Sequence, residues 1–300
     1  MPSSTRGFAS PDAGSGGSPP GGRGWGRALS RLGRSHLAFV GGVLVAATVV
    51  VAAIAPVLAT HDPVAMNFGA LLARPGSGHL LGADQFGRDM LSRVVYGARL
   101  SVRIGLLSVG LALLVGLPIG ALAGYVGGKL DNLLMRVMDA LMAFPALLLA
   151  LGLVAAMGPG TTSAIVAIGV VYIPGVARLT RGVVLAERAQ EYVEAARALG
   201  QADRRILARH ILPNCTSALL VQATVNFANA IVIEAGLSFL GVGTPPPAPS
   251  WGLMLNEARA FMTSAPHVAV VPGAAISLAV LGLNLLGDGL RDALDPRLAE

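Results

Sequence analysis

Side chains capable of covalent or metal chemistry are few in this sequence, and their spacing matches no catalytic pattern. The five histidines lack metal-ligand spacing, and no Ser/His/Asp or Cys/His set is placed for nucleophilic catalysis. The single cysteine, Cys215, cannot form an intramolecular disulfide. Segment 123–130, AGYVGGKL, approaches a phosphate-binding loop but lacks its first glycine and its final Ser or Thr. We therefore predict a chain that is not an enzyme and binds no metal or cofactor.

The most informative polar segment is 187–214, ERAQEYVEAARALGQADRRILARHILPN. It is rich in helix formers, and Gly200 stands where a first short helix needs a left-handed cap. Asp203 suits the first turn of a second helix, which we expect Pro213 to end. Three alanines make one surface small enough for another protein to approach closely: Ala195, Ala196 and Ala198. On pattern alone, a solvated amphipathic linker remains an equal alternative.

The elements around this segment are apolar and long. Hydrophobic residues make up 54% of the 300 residues and charged residues 13%, about half the charged fraction of a soluble domain. Mean hydropathy is +0.67. Six apolar stretches are each long enough to cross about 30 Å of hydrocarbon as a helix: 37–58, 100–126, 133–157, 161–179, 216–237 and 268–287. The predicted fold is an all-α integral membrane protein with six transmembrane helices.

The distribution of arginines predicts the orientation. With the N-terminus inside, the cytoplasm receives the basic tail and a long segment rich in arginine after the fourth stretch, as the positive-inside rule requires. Both termini are then cytoplasmic. The stretch 88–103 carries four arginines on the opposite side and has no explanation from the sequence. The net charge of +6 does not indicate nucleic acid, because the arginines flank apolar runs instead of forming one basic face.

Several motifs resemble one transporter family. Glu194–Ala195–Ala196, Gly200 and Leu212–Pro213 have the spacing of the EAA motif of importer-type ABC permeases, with His210 where isoleucine is usual. Further similarities run in one order along residues 79–297 and match the C-type permease subunit of oligopeptide, dipeptide and nickel importers. They are HLLGAD at 79–84, GRD at 87–89, LSFLG at 237–241, PSWG at 249–252 and GDGLRDALDP at 287–296.

The resemblance implies the type I ABC importer permease fold in the inner membrane, with the polar segment as cytoplasmic coupling helices. The implied partners are a second homologous permease, two ATP-binding-cassette ATPase subunits that hold ATP and Mg, and an extracytoplasmic substrate-binding protein. Six residues are then expected to couple to the ATPase: Glu194 and Arg197 by polar contacts, Ala195 and Ala196 by close packing, Gly200 at the bend, and Pro213.

Within the spans, small and polar residues suggest further roles. Gly116, Gly120 and Gly124 form a small-residue stripe on which another helix can lie, for instance one from the second permease. Asp139 is expected to pair with Arg136, one turn away. The candidate pore or gate residues are Glu234, Asn226, Asn229 and Trp251.

The expected organisation is a disordered basic tail (1–34), a first transmembrane helix (35–60) and a periplasmic loop (61–98). The five-helix permease core (99–290) follows, with coupling loop 181–213 and periplasmic loop 238–267, and then a cytoplasmic tail (291–300). The expected function is permease subunit of a peptide importer. The alternatives are a self-sufficient secondary transporter or channel, and the same importer role for nickel or other small solutes.

Overall fold

The computed structural model describes residues 36–76 and 78–294. The expected N-terminal tail (1–34) lies outside them, as do residues 295–300 of the expected C-terminal tail. The helices have these bounds: α1 His36–Ala53, α2 Ala55–Leu58, α3 Met90–Val126, α4 Gly128–Met142, α5 Ala146–Met157, α6 Thr161–Arg188, α7 Glu191–Ala198, α8 Asp203–Phe239, α9 Trp251–Ala258 and α10 His267–Leu294. The all-α prediction is confirmed.

Five helices in the described part of the chain are long and apolar enough to cross a bilayer: α1, α3, α6, α8 and α10. Helices α4 and α5 pass the same test only together, with a bend of 91° between them. The bend lies at Pro145, which has no N–H to donate and disfavours helical backbone at the residue before it. The third predicted span, 133–157, is therefore a broken pair and not one straight helix.

Helices α3 and α6 pack closely and run in the same direction. A Cβ added to a glycine of the stripe on α3 would collide with α6, and the facing pairs are Gly116 with Ile173, Gly120 with Ala177, and Gly124 with Arg181. Each advance of four residues on α3 matches an advance of four on α6, so the two helices are parallel. The chain must therefore cross back between them, and the bent pair α4–α5 makes that sixth crossing.

The first and last helices pack against each other in opposite directions. Gly289 near the end of α10 faces Ala38 near the start of α1, whereas Gly282 faces Leu44 further along α1. A Cβ on Gly282 would lie 2.7 Å from the Leu44 side chain. The described chain thus begins and ends on the same face of the bundle, as an even number of spans requires.

Helix α3 begins earlier than its hydropathy predicts. Asp89 caps it by accepting a hydrogen bond from the Ser92 N–H at 2.8 Å, so the helix starts at Met90 and not near residue 100. Its 37 residues span about 55 Å, well beyond a hydrocarbon layer of about 30 Å. The first turns of α3 therefore extend beyond the apolar layer and belong to the loop region at that end.

The unexplained basic stretch is a buried ion network. Arg88 and Arg93 are 2% and 0% exposed. Arg88 Nε lies 2.6 Å from Asp84 Oδ2, and its Nη2 lies 2.6 Å from Glu257 Oε2. Arg93 Nη2 lies 3.1 Å from the same Glu257 oxygen. Two of the four arginines are thus neutralised inside the protein, where they join α3 to α9.

Candidate functional site

Helix α7 and the start of α8 form a polar elbow, residues 191–211, that turns at Gly200. Gly200 has a φ of +73°, in the left-handed region that favours glycine. Its N–H donates to Arg197 O at 3.0 Å, and the Gln201 N–H donates to Ala196 O at 3.2 Å. These two bonds form a Schellman motif, which ends α7 and redirects the chain into α8.

The inner face of the elbow packs against the membrane helices. Val193 and Ala196 of α7 and Ile206 and Ile211 of α8 are buried. They share one apolar cluster with Met138 of α4 and with residues of α3 and α6. Ala196 therefore lies inside the fold, and its predicted place on the docking surface beside Ala195 is wrong.

The outer face of the elbow is exposed, and it includes the small side chain of Ala195. Glu194, Ala195 and Arg197 all lie on it. Leu199 follows at the tip of the turn and is 81% exposed. On a continuous helix, Leu199 would face inward like Ala196, three residues earlier. Because α7 ends at Ala198, Leu199 instead points outward, and the sequence did not indicate this.

Polar contacts fix the elbow to the end of α6. The Tyr192 hydroxyl donates to Glu187, and the Asn214 amide donates to Glu187 Oε2 at 2.9 Å and to the Tyr192 hydroxyl at 3.0 Å. Burial, together with the hydrogen bond to Glu187, raises the pKa of Tyr192 to about 12. The hydroxyl therefore stays protonated and keeps its role as a donor.

A second set of contacts joins the elbow to α3. The Tyr125 hydroxyl, one residue before the end of α3, donates to Asp203 Oδ1 at 2.6 Å. The guanidinium of Arg188 lies 5.7 Å from the centroid of the Tyr125 ring. The start of α8 and the end of α6 are thus both held at the end of α3 opposite Met90.

Pro213 does not end the second elbow helix, contrary to the sequence-based prediction. Residues Leu207–Ile211 form a π-helical turn in which the Leu212 N–H donates to Leu207 O, five residues back. The wider turn accommodates the proline ring, which in a regular helix would meet the carbonyl four residues earlier. Helix α8 therefore runs continuously from the elbow to Phe239, so the elbow and the span belong to one helix.

Ion pairs join α4 to α6 next to the elbow. Arg181 binds Asp131 through two hydrogen bonds, of 2.5 and 2.6 Å. Arg178 donates to Asp139 at 2.5 Å. The predicted local pair of Asp139 with Arg136 is wrong, because α6 lies alongside α4 and its Arg178 binds Asp139.

Most of the candidate pore residues are packed inside the chain. Glu234 is buried and accepts hydrogen bonds from Ser238 at 2.7 Å and Ser250 at 2.9 Å, which join α8 to α9. Asn226 is also buried and accepts from Gln222 at 2.9 Å. Neither side chain lines an open path in this conformation.

The two remaining candidates differ in exposure. Trp251 is buried against Gly97 and donates from Nε1 to Val94 O at 2.9 Å, so it anchors α9 to α3. Asn229 is exposed on α8. Of the four candidates, Asn229 alone presents a polar side chain at the surface of the bundle.

Known protein families and curated proteins match this chain over most of its length. Residues 116–300 match the model of the binding-protein-dependent transport system inner membrane component, and residues 24–75 match the N-terminal TM domain of oligopeptide transport permease C. The dipeptide transport system permease protein DppC of Alkalihalophilus pseudofirmus is 43% identical over 91% of this chain and 90% of its own length. The glutathione transport system permease protein GsiD of Pectobacterium atrosepticum is 44% identical over 91% of both chains.

A solved structure shares the fold. A chain of the inward-facing MetNI methionine ABC transporter superposes with a TM-score of 0.57 at 21% identity, covering 68% of this chain and 97% of that one. The predicted type I ABC importer permease fold is confirmed. Together, the six crossings, the polar elbow and these matches show that the chain belongs to the family of binding-protein-dependent transport system inner membrane components, the permease subunits of ABC importers.

Proposed function

We propose that this chain and a second homologous permease form the translocation path of an ATP-driven importer for dipeptides or oligopeptides. A substrate-binding protein would deliver the peptide from outside. Two ATPase subunits, which carry the ATP and Mg, would bind at the cytoplasmic face. The relatives named for a dipeptide and for glutathione support a peptide substrate, since both ligands contain peptide bonds. Nickel or another small solute is the remaining alternative for the cargo.

The observation that carries the proposal is the two-faced elbow. Its outer face offers Ala195 for close approach, Glu194 and Arg197 for polar contacts, and Leu199 for an apolar contact. Its inner face is packed into the ends of the membrane helices. When two ATPases close on ATP, a push on the outer face would therefore move the elbow and these helix ends as one body.

The proposed orientation places the elbow and both termini in the cytoplasm. The arginines at the end of α6 and in the elbow support it by the positive-inside rule: Arg188, Arg197, Arg204, Arg205 and Arg209.

Membership of the importer family disfavours a self-sufficient secondary transporter or channel. A secondary transporter would also leave the outer face of the elbow without a partner. For the path itself, we propose Asn229 as a lining residue, because it is polar, exposed and on a span.

The test introduces a charge into the proposed docking surface. Ala195→Glu should abolish co-purification of the ATPase and peptide uptake, while the permease still enters the membrane and keeps its thermal stability. Gly200→Val should have the same effect on uptake, because a β-branched residue is strained at a φ of +73°.

The matched control is Ala65→Glu, the same change at an exposed alanine in the loop after α2, at the end of the bundle opposite the elbow. This variant should retain uptake and ATPase binding. Normal uptake by Ala195→Glu would contradict the docking proposal. Uptake by the isolated chain in liposomes without any ATPase would contradict the importer role itself.

A further inference from the structure

Three side chains with metal-binding atoms meet at the end of the molecule opposite the elbow. They are His61, which follows α2, His79 in the next loop, and Asp89, the N-cap of α3. One ligand atom from each lies within 4.8 Å of the other two. The residues are 18 and 10 positions apart, so their spacing in the sequence gave no indication of a site.

The separations suit a small divalent cation. His79 Nδ1 lies 2.9 Å and His61 Nδ1 lies 3.7 Å from Asp89 Oδ1. Ligand atoms bound tetrahedrally to zinc at about 2.0–2.1 Å are about 3.3 Å apart, midway between these two distances. A hydrogen bond joins His79 Nδ1 to Asp89 Oδ1, whereas His61 Nδ1 is too far from that oxygen for one and lies 3.1 Å from the Thr60 hydroxyl.

The two oxygens of Asp89 have different surroundings. Oδ2 accepts hydrogen bonds from the Ser92 N–H at 2.8 Å, the Ser92 hydroxyl at 2.7 Å and the Thr60 hydroxyl at 3.2 Å. Oδ1 faces the two histidines. The carboxylate is thus held in place through one oxygen and directs the other at the histidines, as outer hydrogen bonds hold the ligands of metal sites.

The site is also accessible and negatively charged. The His61 side chain is 47% exposed, whereas that of Asp89 is fully buried. An open surface pocket lined by Pro56, Thr60 and Tyr96 leads to His61. The neighbouring cations Arg88 and Arg93 are already paired with Asp84 and Glu257, so they leave the Asp89 charge available.

We propose that His61, His79 and Asp89 bind one Zn²⁺ ion, with water in the fourth position. Two imidazoles and one carboxylate are a donor set typical of zinc sites with an open position. The bound ion would hold the chain after α2 and the loop around His79 to the first turn of α3. Binding through Nδ1 requires the neutral His79 tautomer that carries its proton on Nε2, so the ion takes the place of the hydrogen bond between His79 Nδ1 and Asp89 Oδ1. This inference does not depend on the transported substrate or on the ATPase.

The test is zinc binding to the full-length chain in nanodiscs, purified through a histidine-free tag and stripped with a chelator. Equilibrium dialysis against Zn²⁺ should give one ion per wild-type chain, and excess Mg²⁺ should not compete. His61→Ala should weaken binding at least about 10-fold, because loss of a direct ligand exceeds the usual cost of losing an outer one. His61→Cys should restore binding, since thiolate is also a zinc ligand.

The matched control is His36→Ala, another exposed histidine, which should bind zinc like the wild type. Co²⁺ substitution gives a second readout, and His61→Ala should lose the visible absorption of four-coordinate Co²⁺. Wild-type protein without a stoichiometric ion would overturn the proposal, as would equal affinities of wild type and His61→Ala.

Discussion

The stripe of glycines on α3 yields a quantitative prediction for Gly120→Ala. An added methyl group at Gly120 would meet Ala177 O and lie 2.7 Å from Thr180 Cβ, closer than real Cβ contacts. Both obstacles belong to the α6 backbone or to a β-branched side chain held in the helix, so neither can rotate away. The two helices must separate locally to admit the methyl group.

The expected cost follows from this geometry. Overpacking of a close-packed interior costs about 1–3 kcal/mol and occasionally more. Alanine is favoured over glycine in a helix by about 1 kcal/mol, which offsets part of that cost. Because the contact is with backbone, we expect the upper part of the range and a net loss of about 1–2 kcal/mol of unfolding free energy.

The assay is unfolding of the purified chain in mixed micelles by titration with a denaturing detergent. Gly110→Ala is the control on the same helix, because a Cβ at that position would meet no neighbouring side chain or helix within 4 Å. It should leave the unfolding free energy unchanged or raise it by up to about 1 kcal/mol. Equal effects of the two substitutions would refute the close packing of α3 on α6.

The remaining predictions concern buried and polar contacts. Arg88→Ala leaves the buried Asp84 and the partly buried Glu257 without their main partner and should cost about 3–5 kcal/mol in the same assay, whereas Arg103→Ala, at an exposed position, should cost less than about 0.5 kcal/mol. Tyr192→Phe should cost about 0.5–1.5 kcal/mol. The difference between Tyr192→Phe and wild type should stay constant below pH 10 and shrink between pH 10 and about 12, because the unfolded tyrosine ionises first. A difference that already shrinks below pH 10 would contradict the contact with Glu187.

The sequence predicted those features that depend on local composition and on local backbone conformation. Apolar length alone located the spans, because a lipid environment requires long helices. Gly200 was identified as the bend because a left-handed residue at a helix end favours glycine, and its φ of +73° agrees. The EAA spacing predicted the family, which the comparisons confirm.

Features set by tertiary packing could not be predicted. Hydropathy indicates neither that Arg93 is fully buried nor that its counter-charge is Glu257, 164 residues later. Likewise, the inward position of Ala196 follows from how the elbow lies on the spans. The cluster of His61 with Asp89 depends on the packing of the chain after α2 against the start of α3.

Labelling of one engineered thiol tests the central claim most directly. Leu199→Cys would place a thiol at the exposed tip of the elbow, and the natural Cys215 is buried and will not interfere. A membrane-impermeant maleimide should label the variant in inside-out vesicles but not in right-side-out vesicles, and assembly with the ATPase should block labelling. Labelling from the outside, or equal labelling with and without the ATPase, would contradict a cytoplasmic docking elbow.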